Sequence, residues 1–213
     1  MTFDKALIAG KLRRWEKFLN EYRLPDWEEL PNIGLYMDQV VSLLMGYLDY
    51  MPPELKGEKL VTPATINNYV RKKIMPEPVK KRYFRVHIAY LIMICTLKQS
   101  LSIPTLQAII PLSLSEEELE ALYASYVKRH RVAAKYFIQQ VRTAAAGILD
   151  HEPESELSTG DTGELIASTA IIGGFSRLLA EKLLLLEGKT LENGGSIALS
   201  SREKRREAPV HEE

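Results

Sequence analysis

Residues 86–100, VHIAYLIMICTLKQS, are almost continuously apolar. At this length the run reads as a buried central helix, and a helix covered on every face needs other elements packed around it. The rest of the chain supplies them in the same form. Strands are scarce and helical periodicity dominates, so the expected class is all-α (mainly helical), with at most a small hairpin.

Residues 3–23 place Phe3, Leu7, Ile8, Leu12, Trp15, Phe18 and Leu19 at three- and four-residue steps, an amphipathic helix that Pro25 ends. LPDWEELPNIG (24–34) is a connector whose Trp27 tucks against the core, and LYMDQVVSLLMGYLDYM (35–51) is the next helix, stopped by Pro52 and Pro53. ELKGEKLV reads as an exposed loop ending in a short strand. Thr62 is an N-cap with Pro63 at the first helical position. That helix turns Ile66, Tyr69 and Val70 inward and runs out near Ile74, because MPEP cannot continue it. VKKRYFR then reads as a short hairpin or wing. Ser102 caps a short helix in LSIPTLQAII. Ser115 with Glu118 forms a capping box, flanked by a Leu114–Leu119 staple, for a helix reaching about Leu149. Its apolar face carries Leu119, Leu122, Tyr126, Ala133, Phe137, Val141 and Ile148. DHEPESELSTGDTGE (150–164) is an acidic linker, 165–187 a last helix, and the polar end of the chain a disordered tail. The expected division is an N-terminal helix and connector (1–34), a central helical domain (35–112), a C-terminal helical region (113–187) and the tail (188–213).

The 213 residues are 46% hydrophobic, which excludes global disorder. Arg177, Glu181 and Lys182 interrupt the apolar segment 165–186 and argue against a membrane span. The expectation is a soluble, cytoplasmic protein. Cys95 is the only cysteine, so an intrachain disulfide and a thiolate metal site are both excluded; its apolar neighbours make it a small core residue. The four histidines have no metal-ligand spacing, and His87 reads as a local hydrogen-bonding residue at a helix start. Phosphate loops, dinucleotide fingerprints and nucleophile elbows are absent. No cofactor, metal or enzymatic activity is expected.

The net charge of zero hides an asymmetry. Between Lys56 and Ser100 stand ten basic and two acidic residues, a net +8 that leaves −8 for the remainder. Such segregation points to a polyanion-binding face, against the plainer reading of a solvated basic surface. On the helix from Pro63, Thr65, Asn67, Asn68, Arg71 and Lys72 project outward, with Ala64 and Thr65 small enough to approach a groove floor. Asparagine pairs with an adenine edge, arginine grips guanine or phosphate, and lysine neutralises phosphate. Asn67, Asn68 and Arg71 are therefore candidate groove contacts, and Lys72, Lys73, Lys80, Lys81, Arg82 and Arg85 candidate phosphate contacts. Tyr69 and Tyr83 read as core residues that could also offer a hydroxyl to the backbone of a nucleic acid.

TPATINNYVRKKIMP followed by KRYFRVHIAYLIMICTLKQSLSIPTLQAII resembles the winged helix-turn-helix of the mercury-resistance (MerR) regulators and excisionases. Thr65, Ile66 and Tyr69 fall on the recognition helix of that motif, Ile74, Met75 and Pro76 on its exit, Tyr83 on the wing, and Ile88, Leu91 and Leu106 on the helices behind it. Residues 24–145 more closely resemble an uncharacterised bacterial family, a domain of unknown function (DUF1836). The resemblance departs from the MerR pattern at Asn67, where that family usually has arginine, and at Asn68, where it has an aromatic. PPELKGEKL also lengthens the connection between the helices, and the metal-binding cysteines are missing.

These readings lead to one expectation and one rival. The expectation is a MerR-like winged helix-turn-helix protein that binds double-stranded DNA, a bacterial transcriptional regulator. The helix from Ser115 either mediates a homodimer, matching a palindromic site, or folds back on its own domain. The rival is a non-enzymatic helical protein–protein adaptor whose basic patch binds an acidic partner.

Overall fold

The computed structural model describes residues 4–49, 61–144, 170–179, 186, 188–190 and 192–193. Its helices are α1 (Lys5–Glu21), α2 (Met37–Tyr47), α3 (Pro63–Arg71), α4 (Arg85–Leu97), α5 (Ile103–Ile109) and α6 (Glu116–Ala144), with a 3₁₀ turn at Trp27–Glu29 and further helix at 170–179. Four of them, α1, α3, α5 and α6, start at short polar side chains. Asp4 Oδ1 accepts from the Leu7 amide at 3.0 Å, Thr62 Oγ1 from Thr65 at 3.1 Å, and Ser102 Oγ from Thr105 at 3.4 Å. At α6 the bonds are reciprocal: Ser115 Oγ accepts from the Glu118 amide (3.2 Å), and Glu118 Oε2 accepts from the Ser115 amide (2.7 Å). Each cap satisfies donors that the first helical turn leaves orphaned.

α4 is the centre. His87 to Leu97 are buried without interruption, so every face of the helix is covered. α2 and α6 pack against it, α3 packs on α2, and α1 lies along α6. At its C-terminal end, Ser100 Oγ donates to the Ala170 carbonyl at 2.6 Å and joins α4 to the helix at 170–179. One apolar core runs through Trp15, Trp27, Leu44, Ile66, Ile92, Phe137 and Phe175, linking all of these elements. The buried Thr96 hydroxyl inside it is paired, as burial demands. The Thr96 hydroxyl donates to the Ile92 carbonyl (2.8 Å), leaving its oxygen to accept from the Tyr126 hydroxyl (2.5 Å). Cys95 lies in this core, and burial pushes its thiol up to about 12.

The connector after α1 is pinned to α6 by one hydrogen bond: the buried Tyr123 hydroxyl donates to the Pro25 carbonyl at 2.9 Å. Tyr123→Phe should destabilise the protein by about 1–3 kcal/mol, because a carbonyl is left buried without a donor. Urea unfolding checks this, and an unchanged midpoint would contradict it.

The apolar stripe of α6 is covered by its own chain. Leu119, Tyr123, Ala133, Phe137 and Ile138 are buried, and the Phe137 ring meets Trp15 edge-on and Phe175 stacked, both at 5.4 Å. An ion pair between Glu16 and Arg142 fastens α1 to its far end. The fold-back alternative thus describes this face. The sequence readings for 54–60, 150–164 and most of the tail lie outside the described residues, as does Ile148. No helix among the described residues is long and apolar enough to cross a membrane.

Candidate functional site

The basic stretch begins at α3. Thr62 caps it and Pro63 opens it, while Ile66 and Tyr69 are buried and Val70 packs on the core. Burial raises the Tyr69 hydroxyl well above its ordinary value, with a lesser push from Cys95, and burial raises Tyr83 in the same direction. Both tyrosines are core residues. The opposite face holds the polar side chains. Asn67 and Arg71 are exposed and Asn68 is half-buried. Asn68 Oδ1 accepts from Arg71 Nη2 at 2.9 Å, so Asn68 braces the guanidinium beside it. The Thr65 hydroxyl lies 2.8 Å from that of Thr62 and belongs to the cap.

α3 stops through a Schellman motif. The Lys73 amide donates to the Val70 carbonyl (2.9 Å) and the Ile74 amide to the Tyr69 carbonyl (3.2 Å). Lys73 stands where glycine is usual, at φ 50°. The Lys72 carbonyl accepts from Gln107 of α5, which ties the helix end to the core.

The next turn repeats the pattern. Val79 and Arg82 exchange two backbone hydrogen bonds of 3.0 and 2.9 Å around Lys80 (φ 49°) and Lys81 (φ 62°). Positive φ at both central residues is the signature of a type I′ turn, which favours Asn-Gly. Left-handed backbone costs a residue with a Cβ about 1–2 kcal/mol. All three non-glycine residues with positive φ among the described residues are therefore lysines of this stretch, and all three are exposed. Among the described residues Lys72, Lys73, Lys80 and Lys81 have no ion pair.

Arg82 and Arg85 are placed differently. The Arg82 guanidinium lies 4.5 Å from the Tyr36 ring centroid and donates to the Tyr36 hydroxyl (2.8 Å) and the Gly34 carbonyl (3.4 Å). Arg85 sits over the Trp27 ring at 5.6 Å and donates through Nε to the Leu30 carbonyl (3.2 Å). Both hold the connector to the basic turn. Leu35 and Tyr83 complete the join with paired backbone bonds of 2.8 and 2.9 Å. The expected hairpin is thus a turn with two isolated bridges; the described residues contain no extended strands.

His87 closes the loop at its base. Its Nδ1 accepts from the Phe84 amide at 3.0 Å, which places the proton on Nε2, and Nε2 donates to the Glu77 carbonyl at 2.9 Å. One neutral imidazole therefore holds both limbs of the segment that presents Lys80 and Lys81. His87→Ala should speed amide exchange at Val79, Arg82 and Phe84 by about tenfold, the equivalent of one net hydrogen bond, with the α6 amides unchanged. Equal protection in both proteins would contradict that role.

The structure brings Asn67, Asn68, Arg71, Lys72 and Lys73 together on one helix and its exit, with Lys80 and Lys81 on a separate turn. Among the described residues no group of three or more His, Cys, Asp or Glu side chains is arranged to hold a metal ion. No curated protein and no solved structure matches the chain. Residues 25–126, which span the connector, α2 to α5 and the start of α6, match the model of a family described as Domain of unknown function (DUF1836).

Proposed function

We propose that the chain is a sequence-specific DNA-binding protein, a bacterial transcriptional regulator acting on double-stranded DNA in the cytoplasm. In this reading α2 and α3 are the two helices of a MerR-like winged helix-turn-helix, and the turn at 79–82 is the wing. Asn67 and Arg71 face base edges in the groove, Asn68 orients Arg71, and Lys72, Lys73, Lys80 and Lys81 neutralise phosphates.

The observation that carries the reading is the left-handed backbone at Lys73, Lys80 and Lys81. Stability alone would favour glycine or asparagine at these positions. Retaining an exposed cation at all three, beside the polar face of α3, is the pattern expected where charge must be presented at fixed points. Strained backbone of this kind concentrates at functional sites. A solvated basic surface would need no such geometry.

The test is selection of a random duplex library by the purified protein at about 0.15 M salt, with Arg71→Ala/Lys72→Ala as the control. An enriched motif that the double variant loses is the expected result, and its symmetry gives the oligomeric state of the working unit. No enrichment at any salt concentration would contradict the reading.

A further inference from the structure

We infer that the outer face of the Leu35–Tyr83 join is a docking surface for a protein segment that carries apolar side chains flanked by carboxylates. The register establishes that face. Leu35 and Tyr83 are a hydrogen-bonded antiparallel pair, and both side chains turn inward, 8% and 3% exposed. Side chains alternate along extended backbone, so their neighbours Gly34, Tyr36, Arg82 and Phe84 turn outward. Val79, paired directly with Arg82, shares its side of the turn. Val79, Arg82 and Tyr36 thus form a row across three segments, with Phe84 beside it over Gly34. A Cβ at Gly34 would lie 3.0 Å from Phe84 Cζ and from Arg82 Cδ, so the absence of one lets these side chains cross the backbone closely.

The composition of the face is unusual for a solvated surface. On it Val79 is 56% exposed, Tyr36 54% and Phe84 38%, and Ile33, which precedes Gly34 in the chain, is 66% exposed; the other large apolar residues that exposed among the described residues, Ile109 and Leu112, both lie near the end of α5. Scattered apolar residues need no explanation, but a group joined through one small join marks an interaction site. Val79 has no counterpart on a phosphodiester surface, which offers charge and sugar; an aliphatic side chain requires apolar side chains opposite. The cationic groups in and around the face are Arg82, Lys80 and Lys81, against two exposed carboxylates nearby in sequence, Asp38 and Glu77. A second copy docked about a two-fold axis would bring those cations toward their own equivalents, so self-association is disfavoured. A segment with carboxylates beside its apolar anchors meets both requirements. This inference does not depend on duplex binding by α3.

The experiment is panning of a displayed library of short random peptides against the full chain, followed by affinity measurement on the enriched peptides. Peptides with apolar residues next to Asp or Glu should be enriched. Val79→Ser, at an exposed position, should weaken them by about tenfold, as the loss of one buried aliphatic contact implies. Arg71→Ala/Lys72→Ala should leave them unchanged. The inference is overturned if no such class is enriched, or if Val79→Ser leaves binding intact. It is also overturned if sedimentation shows that this substitution dissolves a dimer, which would make a second copy the occupant. Loss of duplex affinity in the same variant would instead assign the face to nucleic acid and overturn it equally.

Discussion

Replacing Lys80 and Lys81 with Asn and Gly should give a protein that unfolds at higher temperature and binds duplex DNA more weakly. The two effects have separate causes. Both lysines sit at positive φ in a two-residue turn, and Asn-Gly adopts that backbone at far lower cost. The substitution should stabilise the fold by about 1–2 kcal/mol, raising the melting temperature by roughly 2–4 °C per kcal/mol for a chain of this size. It also removes two cations from the proposed phosphate contacts. Each contact contributes about 0.9 to the slope of log K against log salt, so two are worth roughly thirtyfold in affinity at about 0.15 M. A variant that gains stability and keeps its affinity would mean that the lysines have no role in binding. A variant that gains no stability would show that the turn carries no strain.

Acid should weaken the fold through His130. This residue is 2% exposed, and its ring lies among Tyr22, Tyr126 and Phe175, with the Phe175 centroid at 5.5 Å. Burial holds the imidazole down to about 4, against about 6.5 in an unfolded chain. Between these values the unfolded chain binds a proton that the folded one refuses, so stability rises with pH across the window. Its contribution is constant above about 6.5 and falls as the pH drops, by on the order of 3 kcal/mol near pH 4. Urea unfolding of the protein and of His130→Gln, compared at matched pH, isolates the term because other groups cancel in the difference. The gap between them should narrow as pH falls from about 7 to about 4.5. A gap independent of pH would contradict a buried neutral His130.

Features decided by neighbours along the chain are legible in the amino-acid sequence alone. The Thr62–Pro63 start of α3, the Ser102 cap and the Ser115–Glu118 box each involve residues three apart or fewer, and each stands where expected. The 86–100 run needs only its apolarity to be read as the central helix. His87 is readable as a local hydrogen-bonding residue, though its second partner, Glu77, lies ten residues back. Long-range pairing leaves no such signal. Leu35 reads as the first residue of a helix and Tyr83 as part of a local hairpin, so nothing in either sequence pairs the two, and Arg85 over Trp27 looks like any basic residue until both ends are placed. The hairpin expected at VKKRYFR is present as a two-residue turn at Lys80–Lys81, but the type of that turn escapes for a different reason. Sequence marks a type I′ turn by glycine and asparagine, and here lysines occupy the positions. That choice of residue hides the turn's geometry while leaving its charge in plain view.

The central claim is that this charge meets the phosphates of duplex DNA, and the salt dependence of duplex affinity tests it most directly. Titrating the protein into a labelled duplex by fluorescence anisotropy, at several salt concentrations, gives the slope of log K against log salt. The exposed Lys72, Lys73, Lys80 and Lys81 predict a slope of about −3.6 per chain, falling to about −1.8 when Lys80 and Lys81 are replaced. A slope near zero, or no binding at low salt, would contradict the account.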